Sequence, residues 1–219
     1  MNSNTERKSW IDVVKGIAII LVVLGHVIVR TGDNDFEYII LKIIYSFHMP
    51  LFFIVSGVVF SVKNDFKLFL GRRFKSLIIP VFIFSVIAFF VKIFVNFYYA
   101  GCEVFGIRNY IGGVVTNLPN TLLMTSNSSF SEYWFFPVLF MAQILLYRLV
   151  KMRQRYIPFI LFIAIVINRI LFIKSIILPF GIRESFLAIL YLCVGYYFIG
   201  NKDINIKISK YQSYCSSYL

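Results

Sequence analysis

Six long apolar runs alternate with short polar segments along this chain of 219 residues. They cover residues 11–29, 39–62, 77–99, 133–150, 157–173 and 177–200. Each run is close to the roughly 20 apolar residues that an α-helix needs to cross about 30 Å of hydrocarbon. Because a backbone in lipid must satisfy its own hydrogen bonds, the sequence predicts an all-α fold, a polytopic integral membrane helix bundle of about six transmembrane helices.

The composition excludes a soluble enzyme. Hydrophobic residues make up 59% of the chain and charged residues 15%, against about 45–50% and about 25% in soluble domains. The net charge of +12 does not indicate a nucleic-acid partner, because the basic residues lie between apolar runs and form no solvated basic face. Three cysteines, Cys102, Cys193 and Cys215, are too few and too scattered for a disulfide framework, and no metal site is predicted. The expected partner is the lipid bilayer.

The basic residues between the runs predict the orientation of the chain in a cell membrane. One set of segments carries Arg7, Lys8, Lys63, Lys67, Arg72, Arg73, Lys75, Arg148, Lys151, Arg153, Arg155, Lys202, Lys207 and Lys210. The opposite loops carry only Arg30, Arg108 and Lys174. Since basic loops stay in the cytoplasm, both termini are predicted to be cytoplasmic. Residues 1–200 then form one membrane domain and residues 201–219 a short cytoplasmic tail. The long outer loop, 100–132, is rich in Gly, Asn, Ser and Thr and suits a polar acceptor or a lid.

The first run contains three ionisable residues, Asp12, Lys15 and His26, in or beside apolar sequence. At about 100° per residue, Lys15 and Asp12 lie within about 20° and 40° of His26, so the three share one face of a helix. Ionisable groups in a membrane helix are costly and indicate a functional cavity or a partner. An alternative interpretation pairs Asp12 with Lys15 at the inner interface and places His26 among the outer headgroups.

The second run places His48 beside Pro50. Proline cannot donate a hydrogen bond to the Ser46 carbonyl, so free backbone and an imidazole lie in the same neighbourhood. This pattern favours an internal polar cavity, although a buried histidine can also be purely structural.

Before the third run, Arg72 and Lys75 are spaced as neighbours on one helical turn, with Arg73 between them. A guanidinium and an ammonium group together can hold phosphate or pyrophosphate. The same residues can also serve only to fix topology. In the later runs, Glu184 is predicted to form a structural ion pair with Arg183 or Arg169, while Lys92 and Asn168 are further polar residues there.

Four motifs occur in a fixed order. They are Lys15 followed by ten residues and His26, then Phe47-His48-Met49-Pro50 with Ser56-Gly57, then Arg72 and Lys75, and finally Trp134-Phe135. In this order the motifs resemble those of the membrane acyltransferase-3 family, most closely its fucose 4-O-acetylase-like branch.

The resemblance implies transfer of an acyl group, usually acetyl from cytoplasmic acetyl-CoA, to a hydroxyl of a cell-surface or exported carbohydrate, without a metal. His26 would be the general base or a transient acyl carrier. Lys15 and Asp12 would fix the first helix and line the passage, and His48 would orient a substrate. Arg72 and Lys75, with Arg73 beside them, would hold the coenzyme phosphates.

Family members usually continue through further helices, so the chain is expected to be incomplete at its C-terminus. Self-association is one way in which polar residues left by the missing helices could be covered. Two alternatives to a membrane acyltransferase are an inactive fragment or non-catalytic membrane partner, and a transporter of a carbohydrate or an anionic substrate. A transporter is disfavoured because the sequence shows no paired halves with broken helices.

Overall fold

The structure, a computed structural model, describes residues 9–31, 35–62, 65–99, 134–176 and 178–200. All regular elements in these ranges are helices, which confirms the predicted all-α class. In chain order they are α1 (Ser9–Thr31), α2 (Asp35–Val58), α3 (Phe66–Arg73), the π-helix π1 (Phe74–Ile78), α4 (Ile79–Tyr99), α5 (Phe135–Val150), a 3₁₀ turn (Gln154–Tyr156), α6 (Ile157–Ile173), a 3₁₀ turn (Pro179–Gly181), α7 (Ile182–Cys193) and the π-helix π2 (Val194–Gly200). The predicted outer loop 100–132 and the predicted tail 201–219 lie outside the described residues.

Five helical segments of the described chain are long and apolar enough to cross a membrane. They are Ser9–Val29, Asp35–Val58, Phe66–Val95, Gln154–Ile173 and Pro179–Gly200. The remaining predicted span corresponds to α5, which has 16 residues and is therefore about 24 Å long. The fold is that of a multi-pass membrane protein, with α5 as a shorter apolar helix.

The third span begins at Phe66, not at Leu77 as hydropathy predicts, because α3, π1 and α4 follow one another without a break. The segment before Leu77 is polar, so hydropathy does not mark it, yet its residues are compatible with a helix. Pro80 lies at the start of α4, and in a regular α-helix its ring would clash with the carbonyl four residues earlier. The wider turn of π1, directly before Pro80, makes room for the ring.

The chain divides into two compact units, residues 1–61 with 190–219, and residues 62–189. In the first unit α1 packs against α2. The buried residues Ile11, Ala18 and Gly25 recur every seven positions and mark the packing side of α1. Gly25 lies so close to α2 that a β-carbon there would come within 2.6 Å of Cε1 of Tyr45.

Two glycines bring α2 and the C-terminal helical segment into backbone contact in the same unit. A β-carbon on Gly57 would overlap the carbonyl oxygen of Leu192, and one on Gly195 in π2 would overlap the carbonyl oxygen of Ile54. Small residues permit this close approach between membrane helices. Positions 57 and 195 therefore both require a residue without a side chain.

Replacing Gly195 by alanine is expected to lower the free energy of unfolding by about 1–3 kcal/mol, since the backbone of α2 would have to move away. The measurement is the thermal midpoint of the purified protein in detergent. Gly16→Ala is the matched control, because no atom lies within 4 Å of a β-carbon on Gly16. That control should leave the midpoint unchanged or raise it, given the better helix propensity of alanine. Equal midpoints for Gly195→Ala and the wild type would show that the contact is not tight.

The second unit is organised around α5, whose side chains include several of the most buried among the described residues. Tyr147, Leu146, Val138 and Pro137 are almost completely inaccessible. The helix packs against π1 and against the turn Pro179–Gly181. On the side of π1, the rings of Phe140 and Phe74 meet edge to face with centroids 6.1 Å apart.

Candidate active site

The three ionisable residues predicted to share a face all lie within the uninterrupted helix α1. Asp12 and His26 are exposed and Lys15 is half-buried. At 1.5 Å per residue, His26 lies about 16 Å from Lys15 along the helix axis. The predicted polar stripe of Asp12, Lys15 and His26 therefore exists as one side of a single helix.

This stripe lies beside the packing side of α1, not on it. At about 100° per residue, its centre is roughly 90° around the helix from the line of Ile11, Ala18 and Gly25. The offset explains why His26 stays exposed although its neighbour Gly25 is buried against α2. The imidazole of His26 is therefore exposed without any change in the packing of α1 and α2.

The second histidine has a defined hydrogen bond. His48 is 5% exposed, and its Nδ1 lies 2.7 Å from the carbonyl oxygen of Ile44. Because a carbonyl oxygen can only accept, Nδ1 carries a proton, and in the neutral form of the ring Nε2 would keep the lone pair. His48 is thus a buried imidazole with one nitrogen committed to its own helix and the other able to accept a hydrogen bond.

Tyr45 connects the neighbourhoods of the two histidines, and sequence reasoning missed it. Its ring lies against Gly25, next to His26, and 5.1 Å from the His48 ring between centroids. The separation of His26 and His48 along the axes of α1 and α2 is therefore no more than about two helical turns. The available signal was the spacing of Tyr45 and His48, which places them on one side of α2.

In the second unit, the predicted phosphate-binding residues occupy the junction of α3 and π1. Arg72 and Lys75 are exposed, whereas Arg73 is half-buried with its guanidinium carbon 5.6 Å from the ring centroid of Phe69. Arg72 and Arg73 are thus in different environments, although they are adjacent in sequence. The role of Arg72 and Lys75 stays a prediction.

Cations from two helices surround a stack of aromatic rings in this unit. Phe69 and Tyr147 stack with centroids 4.8 Å apart and an interplanar angle of 28°, and Phe66 lies 5.2 Å from Tyr147. Arg148 lies 4.2 Å above the Phe66 ring, and Lys151 lies 4.6 Å above the Tyr147 ring. Together with Arg73, we call these residues the cation–aromatic cluster. From the sequence, only a role in membrane topology is predicted for Arg148 and Lys151.

The polar residues between α6 and α7 form a structural pair. The guanidinium of Arg183 donates from Nε to Oε1 of Glu184 at 2.9 Å, and Asn168 donates from Nδ2 to the carbonyl oxygen of Arg183 at 2.6 Å. Arg169 instead lies over the ring of Phe172. Of the two predicted partners, Glu184 therefore pairs with Arg183.

Comparison with known proteins identifies the family. The family model described as an acyltransferase domain, that of acyltransferase-3, matches residues 8–214. The chain belongs to the acyltransferase-3 family. The predicted family is thus confirmed, while the fucose 4-O-acetylase-like branch stays a prediction. No solved structure matches this chain.

Two curated relatives are both named nodulation protein NolL. The protein from Sinorhizobium fredii is 39% identical over 102 residues, which cover 43% of this chain and 28% of the relative. The protein from Mesorhizobium japonicum is 30% identical over 144 residues, which cover 62% of this chain and 34% of the relative. The chain thus spans about a third of the length of these relatives.

Proposed function

We propose that this protein is a membrane O-acyltransferase that moves an acetyl group from cytoplasmic acetyl-CoA to a hydroxyl of a cell-surface or exported carbohydrate. The observation that carries the proposal is the position of His26, an exposed imidazole on the polar stripe of α1, in a chain that belongs to the acyltransferase-3 family. The chemistry of the transfer requires a base of this kind.

A carbohydrate hydroxyl is a weak nucleophile at neutral pH, so its proton must be removed as it attacks. In the proposed step the hydroxyl oxygen forms an ester bond with the acetyl carbon, and the bond from that carbon to the coenzyme sulfur breaks. His26 takes the hydroxyl proton and passes it to the departing thiolate. A neutral imidazole suits this exchange because it can accept a proton in one step and return it in the next.

The other polar residues support His26 in this scheme. Lys15 and Asp12 fix the polar stripe and line the passage along α1. His48 has Nε2 free to accept a hydrogen bond, since Nδ1 is held by Ile44, and it orients a substrate hydroxyl. Arg72 and Lys75, both exposed, bind the phosphates of the coenzyme through charge-assisted hydrogen bonds, with Arg73 next to them.

The direction of transfer follows from the proposed orientation, with both termini in the cytoplasm. Acetyl-CoA is charged and does not cross a bilayer, so only vesicles that expose the cytoplasmic side can use added donor. Radiolabelled acetyl-CoA supplied to inverted vesicles that enclose envelope carbohydrate of the expressing cells is expected to label that carbohydrate. Right-side-out vesicles are expected to give no label.

Vesicles that contain the His26→Ala variant at equal abundance are the control. Label in right-side-out vesicles alone would reverse the orientation. Absence of label in both preparations of the wild type would reject the acyltransferase and leave a non-catalytic membrane role.

A further inference from the structure

The oxygen of a buried carboxamide in α5 lacks a hydrogen-bond partner among the described residues. Gln143 is 3% exposed, and its Oε1 accepts no hydrogen bond within that part of the chain. Buried polar atoms in native proteins are nearly always hydrogen-bonded, and an exception calls for a specific explanation. In a membrane helix the requirement is stronger, because lipid offers no donor.

Gln143 lies between two groups of ring contacts on one side of α5. At about 100° per residue, Phe140, Gln143 and Tyr147 fall within about 60° of each other around the helix. Phe140 meets Phe74 of π1, and Tyr147 stacks on Phe69 of α3. The side of α5 that includes Gln143 therefore faces the α3 and π1 segment.

The cation–aromatic cluster lies at the C-terminal end of the same helix. Its three cations, Arg73, Arg148 and Lys151, all lie over rings of this cluster. No ion pair with these three cations is observed within the described chain. The ion pair observed there joins Arg183 and Glu184. Two guanidinium groups and an ammonium group on one cluster of rings can bind a phosphate or a diphosphate.

Gln143 and the cation–aromatic cluster lie at different positions along α5. Lys151 lies about 12 Å, and Tyr147 about 6 Å, from Gln143 along the helix axis. A ligand that fits both has phosphate at one end and an arm with amide N–H groups that extends towards the middle of the helix. Acyl-CoA has this construction, since its phosphates are joined to the thioester through a pantetheine arm with two amides.

We propose that this side of α5 forms part of the acyl-donor site. Arg148 and Lys151, with Arg73, bind the phosphates, and Oε1 of Gln143 accepts a hydrogen bond from an amide N–H of the pantetheine arm. The proposal rests on the proposed function, because it takes the donor to be acyl-CoA. It adds three residues, Gln143, Arg148 and Lys151, to those inferred from sequence.

The first test compares Gln143→Leu with Gln154→Leu, which changes an exposed glutamine. Gln143→Leu is expected to weaken binding of acetyl-CoA to the purified full chain about tenfold, and binding of acetyl-pantetheine by a similar factor. Its thermal midpoint should be unchanged or higher, because it removes a buried polar atom that has no partner among the described residues. Gln154→Leu should alter neither quantity. Unchanged affinity in Gln143→Leu, or a lower midpoint with normal affinity, would overturn the role of Gln143.

The second test removes the cations. The double variant Arg148→Ala with Lys151→Ala is expected to weaken binding of acetyl-CoA by at least tenfold and to reduce its salt dependence, but to leave binding of acetyl-pantetheine unchanged. Arg153→Ala with Arg155→Ala, two exposed cations nearby, is the matched control and should retain the wild-type affinity.

A phospholipid headgroup is the other source of phosphate for this cluster. The double variant is therefore also assayed for association with nanodiscs of anionic and of neutral phospholipid. Loss of anionic-lipid preference with normal acetyl-CoA binding would overturn the donor site in favour of a lipid site. If the wild type binds neither acetyl-CoA nor acetyl-pantetheine, the proposed donor itself is wrong. If the wild type binds both and the variants bind them with the same affinity, only the inference about α5 is rejected.

Discussion

Replacement of His26 by alanine is expected to reduce acyl transfer about 100- to 10,000-fold, the range that general acid–base assistance contributes. The hydroxyl would then lack the group that takes its proton. The insertion and stability of the chain should not change, because His26 is exposed and α1 packs on α2 through the side that contains Ala18 and Gly25. The measurement is the initial rate of acetyl transfer in inverted vesicles.

Leu24→Ala is the matched control for this variant. Leu24 is an exposed residue of the same helix and lies on another side of it, about 160° from His26. Its replacement should leave the rate unchanged. A loss below about tenfold in His26→Ala would reject His26 as the base, since that is less than general base catalysis supplies. In that case the accepting nitrogen Nε2 of His48 would be the next candidate.

The helices and the polar stripe could be predicted from the sequence because both are local properties. Hydropathy over about 20 residues identifies a span, and the angle between Lys15 and His26 follows from helix geometry alone. The ends of the spans were less predictable. Hydropathy predicts that the third span starts at Leu77, whereas the helix begins at Phe66. The segment from Phe66 contains charged residues, and hydropathy measures transfer into lipid, not the tendency to form a helix.

The packing side of α1 could not be predicted, although its residues are visible in the sequence. Ile11 and Ala18 are buried, but Val13, Ile17 and Ile20 on the same helix are exposed and equally apolar. In a soluble protein, the apolar residues of a helix gather on its buried side and the polar residues on its exposed side. In lipid, apolar side chains lie on every side of a helix, so hydrophobicity does not distinguish a helix contact from a lipid contact.

The cation–aromatic cluster could not be predicted for a different reason. Phe69 and Tyr147 are far apart in sequence and meet only through the packing of α3 and α5. Periodicity within each helix therefore contained no signal for their contact. In the same way, Gln143 is one polar residue in an apolar run, and only the burial of its Oε1 without a partner among the described residues sets it apart.

The double replacement of Arg72 and Lys75 by alanine is expected to raise the KM for acetyl-CoA about 100-fold, since each charge-assisted hydrogen bond is worth about tenfold or more. The value of kcat should change little, because phosphate binding remote from the thioester stabilises the bound donor and the transition state equally. Both side chains are exposed at the junction of α3 and π1, so their loss should not disturb the fold.

Lys67→Ala is the matched control, because Lys67 is an exposed cation of the same helix α3. It should retain the wild-type KM. With the double variant, the KM should also depend less on ionic strength, as fewer charges contact the coenzyme and less interaction is left to screen. Acetyl-pantetheine, which has no phosphate, should be used equally well by the wild type and the double variant. A KM for acetyl-CoA that is unchanged in the double variant would assign Arg72 and Lys75 to membrane topology alone, and the phosphates would then have to be bound elsewhere.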